Sequence, residues 1–87
     1  MILVKLYSKE DCHLCDEART VLERVRKDIP FKLTEVKLSS DHPQYDKFHE
    51  SIPVVYVAEK LAFRYQVNVD KLRNLLTEEA KERTEYR

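Results

Sequence analysis

The 87-residue chain contains no glycine and no tryptophan. Without glycine, no stretch of backbone can come bare against a phosphate, which excludes a P-loop and a dinucleotide-binding fingerprint. Neither sign of charge is in excess: 16 basic residues balance 16 acidic ones, so no global positive field exists to hold nucleic acid or an anionic membrane. Long apolar runs are missing as well. Met1-Ile2-Leu3-Val4 meets Lys5, far short of a signal-peptide core or of the roughly 20 apolar residues of a membrane span. The expectation is a cytoplasmic protein with neither nucleic acid nor membrane among its partners. Cysteines number only two, too few for a secreted disulfide scaffold. In a reducing compartment a C-x-x-C pair means redox chemistry or metal.

A chain this short has material for one apolar core, so residues 1–87 are expected to form a single domain. Charged residues make up 37% against a usual figure of about 25%, a composition shared with heat-adapted proteins.

Hydrophobic patterning gives seven elements. Residues 2–7 are apolar and β-branched enough for a strand buried mostly on both faces. From Cys12 to Asp28, apolar residues at Cys15, Ala18, Val21, Leu22, Val25 and then Ile29 recur at three- and four-residue steps, one face of a helix that Pro30 stops. Phe31–Leu38 alternates as a strand, with a slip of phase between Leu33 and Val36 that predicts a bulge or an early fade. Ser39, Ser40 and Asp41 offer caps for a short helix over His42–Glu50. Val54–Val57 reads as a strand. Leu61, Phe63, Tyr65 and Val67 alternate as its hairpin partner after a tight turn near Glu59-Lys60. Asp70 is the expected cap of a last helix with Leu72, Leu75, Leu76 and Ala80 buried, Glu79 and Arg83 paired outside, and a frayed tail from Lys81 through Tyr86. Phe31, Phe48, Tyr56, Phe63 and Tyr65 are expected to face the core and sheet. The order β-α-β-α-β-β-α joins a parallel crossover to an antiparallel hairpin. An α/β fold with a mixed four-stranded sheet flanked by helices is the economical arrangement.

Cys12-His13-Leu14-Cys15 falls where the first strand has ended and the first helix begins. Two residues three apart on a helix share a face at a separation a disulfide can bridge. Free N–H groups and the positive end of the helix dipole favour a thiolate there. Cys12, nearer the end, is the expected nucleophile; Cys15, on the buried face, is expected to resolve the mixed disulfide. Lys9 and His13 bring positive charge to this loop, against Glu10, Asp11 and Asp16. A zinc site lacks its other half, since there is no second C-x-x-C and His42 and His49 are too far apart for the usual H-x₃₋₅-H. No metal is expected.

Leu6-Tyr7-Ser8-Lys9-Glu10-Asp11-Cys12-His13-Leu14-Cys15, followed by Ser51-Ile52-Pro53-Val54, resembles the glutaredoxin-like domains of the thioredoxin superfamily. The resemblance implies a thioredoxin-like fold, with Cys12 as nucleophile, Cys15 as its partner and Lys9 as the family lysine before the motif. It also implies a cis bond before Pro53 that sets the backbone of Ile52 beside the cysteines to meet a thiol substrate. Glutathione-dependent members carry Gly-Gly before the last helix, with acidic residues holding the tripeptide's amino end. Phe63–Asp70 has no glycine and only Asp70 to stand in, so the resemblance does not carry glutathione over.

The reading is a small monomeric thiol–disulfide oxidoreductase or electron carrier. It would need no cofactor beyond the Cys12–Cys15 pair, act on protein or small-molecule disulfides, and be recharged by a thiol or thioredoxin-reductase-type donor. The alternative is a binding module of the same fold without turnover, bridging an iron–sulfur cluster between two chains.

Overall fold

The computed structural model describes residues 1–85, with side chains described through residue 82. Its elements are β1 (Leu3–Ser8), α1 (His13–Asp28), β2 (Lys32–Lys37), α2 (Tyr45–Phe48), β3 (Val54–Val57), β4 (Lys60–Arg64) and α3 (Val69–Glu85). They build one four-stranded sheet in the order β2-β1-β3-β4. β1 runs parallel to β2 from Leu3↔Lys32 to Ser8↔Lys37 and antiparallel to β3 from Val4↔Val57 to Tyr7↔Val54. The element order and mixed sheet are those the sequence predicts.

Strand alternation assigns the two faces. Val4 and Leu6 of β1, with their partners Val57 and Val55, turn to one face and meet Ala18, Leu22 and Val25 of α1 and Leu72 and Leu76 of α3. Tyr7 turns to the other, where Phe48 of α2, Ile52, Val54 and Leu38 gather with Cys15. Because α2 is short, this second face is covered only near the carboxyl end of β1: Leu3 is 51% exposed and Lys5 is exposed too. The expected burial of both faces of β1 therefore holds for Leu6–Ser8 only.

Several expectations need correction. No bulge interrupts β2. Leu33 and Glu35 share the α1 face, as partners of Val4 and Leu6, whereas Val36 lies beside Tyr7 on the other. The apparent slip is a glutamate standing where an apolar residue was expected. The bulge lies instead in the hairpin, where Tyr56 pairs with Leu61 and Val55 with Phe63, leaving Ala62 over. Leu61 and Phe63 consequently point to opposite faces; Leu61 is exposed, and Tyr65, beyond the strand's end, is exposed as well. The hairpin turn is Ala58-Glu59, and both residues have positive φ (50° and 68°), as a two-residue type I′ turn requires. α2 shrinks to Tyr45–Phe48 because Pro43 disfavours helical backbone at His42. At the start of α3, Asn68 rather than Asp70 is the cap: its side-chain oxygen accepts the Lys71 N–H at 2.8 Å. The helix continues through Glu85 past the expected point of fraying, and Ala80 is exposed rather than buried. Glu79 faces Lys60 at 3.7 Å. The side chain of Arg83, its expected partner, and the whole of Tyr86 lie outside the described residues.

Candidate active site

The first turn of α1 is built on sulfur. Asp11, with φ of 53°, takes the left-handed conformation that aspartate tolerates better than most residues, and this turns the chain out of the loop after β1. Cys12 follows in extended conformation as the N-cap, and its Sγ accepts the Cys15 N–H at 3.1 Å. A helix start usually satisfies that N–H with the oxygen of Ser, Thr, Asp or Asn; here a sulfur does so. Cys12 and Cys15 are joined as a disulfide, with Cα atoms 5.2 Å apart, well within the range such a bridge spans. The two sulfurs are not equivalent. Cys15 is 1% exposed in the cluster of Tyr7, Phe48 and Ile52, whereas Cys12 is only partly buried against it.

Of the other expected site residues, Ile52 and Pro53 come to this place. Both are buried, Ile52 in the same cluster as the cysteines, and the bond between them is cis. The Pro53 carbonyl accepts the Tyr65 N–H at 2.8 Å. His13 is exposed on the outer side of α1, its Nε2 3.7 Å from Glu17. Lys9 is exposed just beyond β1 and forms no ion pair with a described residue. The structure thus gathers Cys12, Cys15, Ile52 and Pro53, and leaves Lys9 and His13 in solvent.

Two features beside the disulfide were not anticipated. The first is a charge network below it. The Arg19 guanidinium donates two hydrogen bonds to Glu35, through Nε at 2.8 Å and through Nη2, and a third from Nη1 to Asp16 at 2.8 Å. Ser8, fully buried, donates to the same Glu35 carboxylate at 2.6 Å. The hydrogen bonds from Arg19 hold the Glu35 carboxyl down to about 2, against the opposing effect of burial, and Ser8 helps. The same bonds push Arg19 further up from its already high value. Through Arg19, four residues past Cys15, the network ties α1 to Ser8 of β1 and Glu35 of β2. Its signal in the sequence was Glu35, the acidic residue in the α1-facing phase of β2.

The second is Tyr65. Its φ is 68°, and the Gln66 N–H donates to the Arg64 carbonyl at 2.7 Å, so Tyr65 is the middle of a γ-turn of the strained, positive-φ kind. A bulky residue held there costs about 1–3 kcal/mol. The bond to Pro53 pins it, and the ring is left 51% exposed.

Residues 3–77 match the sequence profile of the family described as Glutaredoxin-like domain (DUF836). The chain belongs to the glutaredoxin-like domain family. Within this glutaredoxin-like family, a curated relative is the Glutaredoxin-like protein YDR286C homolog of Dictyostelium discoideum, 26% identical over 77 residues, covering 82% of this chain and 71% of that protein. Among solved structures, the structural-genomics target protein XcR50 from X. campestris superposes with a TM-score of 0.70 at 24% identity, over 85% of this chain and 95% of that one. Thioredoxin-2, described as a component of the malaria parasite protein secretion machinery, superposes with a TM-score of 0.63 at 16% identity, over 90% of this chain and 82% of its own. These likenesses are of fold, and the fold of this glutaredoxin-like chain is the thioredoxin fold. Among the described residues, no helix is long and apolar enough to cross a membrane.

Proposed function

We propose that the protein is a thiol–disulfide oxidoreductase and electron carrier working through Cys12 and Cys15. The observation that supports it best is one disulfide at a helix start with unequally exposed sulfurs, Cys15 sealed and Cys12 reachable. In the dithiol state the Cys12 thiolate attacks one sulfur of a substrate disulfide, forms a mixed disulfide and expels the other sulfur as a thiolate. The Cys15 thiolate then attacks Cys12 Sγ, closes the ring and releases the second substrate thiol. Two electrons and two protons pass to the substrate. A dithiol donor of the thioredoxin-reductase-linked kind runs the same steps backwards to recharge the protein.

In this reading Lys9 and His13 supply positive charge to the entry loop, and Ile52, ahead of Pro53, offers its backbone to the incoming thiol. The protein works in the cytoplasm as a monomer, with no resident cofactor beyond its own sulfurs. Glutathione is a poor donor, because a small flexible tripeptide needs several fixed partners and close backbone approach, and no glycine supplies that approach.

A redox titration with thiol counting tests the couple: both thiols should appear together in one two-electron transition, and thiols that titrate independently would overturn the assignment. With a chromogenic disulfide, Cys15→Ser should accumulate the mixed disulfide and Cys12→Ser should react far more slowly. The reverse order would exchange their roles. Stopped-flow reduction of the oxidised protein should be much faster with a dithiol donor than with glutathione at matched driving force. Saturation at low millimolar glutathione would mean that a tripeptide site exists.

A further inference from the structure

We propose that the uncovered part of the sheet beside α2 is a binding site for a small aromatic dianion, of the aryl phosphate kind, on the side of the sheet away from α1 and α3. The site does not depend on the redox reading. Four-residue α2 covers only the carboxyl end of β1, and the step from it down to the bare strands leaves a recess of about 380 Å³. That volume suits one small ligand. Strand alternation sets the floor: Leu3, Lys5 and Tyr7 of β1 turn to this face, with Tyr56 of β3 opposite Lys5. Lys32, beside Leu3 on β2, and Lys47, on α2, belong to the same lining.

Charge selects the sign of the occupant. Lys5, Lys32 and Lys47 are all exposed and line this one recess, and none of them has an ion-pair partner among the described residues. The chain as a whole is electrically neutral, so they are a local concentration of charge. Glu59 is the one carboxylate in the lining, and three ammoniums against one carboxylate leave a local charge of +2, which a dianion balances. Two of the ammoniums are also steadied: Lys5 Nζ lies over the Tyr7 ring, 5.9 Å from its centroid, and Lys47 Nζ over the Phe48 ring at 5.0 Å. Those rings stack on each other, so both cations are anchored to one rigid pair. Apolar walls of low dielectric focus the field of such cations into the cleft. The floor selects the rest of the ligand. Leu3, 51% exposed, and Tyr56, half-buried, offer apolar surface that bare phosphate leaves wet and a flat ring covers. α2 walls off the recess at the carboxyl end of β1, so a compact molecule fits where a through-running chain does not.

Fluorescence titration of the full chain with 2-naphthyl phosphate at low ionic strength tests the site. Sub-millimolar binding is expected, about tenfold or more tighter than that of 2-naphthol, which lacks the charge, and of inorganic phosphate, which lacks the ring. Lys5→Gln and Lys47→Gln should each weaken it about threefold, and the triple variant Lys5→Gln, Lys32→Gln, Lys47→Gln about tenfold or more. Glu59→Gln should tighten it about twofold. All these side chains are exposed, so the variants should fold, which circular dichroism checks. Amide signals of residues 3–7 and 44–48, which carry most of the lining, should shift on binding in the oxidised and the dithiol protein alike. Unchanged affinity in the triple variant, shifts confined to other residues, or no saturable binding would overturn the proposal and leave the redox reading standing. A blocked Glu-Phe-Glu peptide that binds as tightly as naphthyl phosphate would overturn it too, by making the surface a peptide site. Naphthyl phosphate binding as expected to a protein whose cysteines fail to form one redox couple would remove the redox reading alone.

Discussion

The two faces of the sheet are built differently. The face under α1 and α3 is mainly aliphatic, with Val4, Leu6, Leu22, Val25, Val55, Leu72 and Leu76 almost wholly enclosed by two long helices. The face under α2 is aromatic and only partly covered. There Tyr7 stacks on Phe48 with ring centroids 4.5 Å apart, Tyr56 meets both edge-on, and Cys15 is packed into the same cluster. Branched aliphatic residues interlock at high density when two rigid surfaces enclose them, whereas a few rings can close a shallower cover. Stability accordingly belongs mainly to the first face, and the Cys12–Cys15 disulfide lies at one end of the second.

Equivalent substitutions on the two sides give the largest expected effect. Leu22→Ala should lower the unfolding free energy by about 4 kcal/mol and Leu38→Ala by about 2–3 kcal/mol, since the thinner cover can collapse into the space left behind. Urea unfolding measures both, and equal losses would erase the distinction. Next comes the network on the α1 face at the disulfide end. Glu35 has its carboxyl held down to about 2 by Arg19, so its contribution is complete above about pH 4.5 and fades as pH falls towards 2. Glu35→Gln should cost about 1–2 kcal/mol at pH 7, a figure reduced for the solvent around Arg19, and should flatten the acid limb of the stability profile over that window. An unchanged acid limb would show that the pair contributes nothing. The smallest effect lies in the hairpin that continues both faces: Ala58→Gly, at φ of 50°, should stabilise by about 0.5–1 kcal/mol, read as a small rise in thermal midpoint.

Most of the architecture was legible because period and punctuation agree along the chain: Pro30 ends α1, Val54–Val57 forms β3, and the C-x-x-C opens a helix as expected. The departures share a cause, which is that partners distant in sequence decided the outcome. Glu35 looked like a lapse of alternation until Arg19, 16 residues earlier, came across to meet it. The unbroken alternation from Leu61 to Val67 concealed a bulge that only pairing with β3 imposes. Asn68 and Asp70 are both good caps, and local sequence does not choose between them. At the site, the cysteines and Ile52-Pro53 were readable as motifs. Tyr65 was not, because nothing local announces a tyrosine at positive φ; its place is set by the carbonyl of Pro53.

The strand order has a consequence for how other chains can approach. β2 and β4 are the outer rails of the sheet, and each carries cations: Lys32 and Lys37 on one, Lys60 and Arg64 on the other, all exposed. A foreign strand adding to either rail would have to crowd or desolvate those charges, a common guard against edge-to-edge growth. The sides of the molecule therefore discourage company, and the end that presents Cys12 is left as the place of approach.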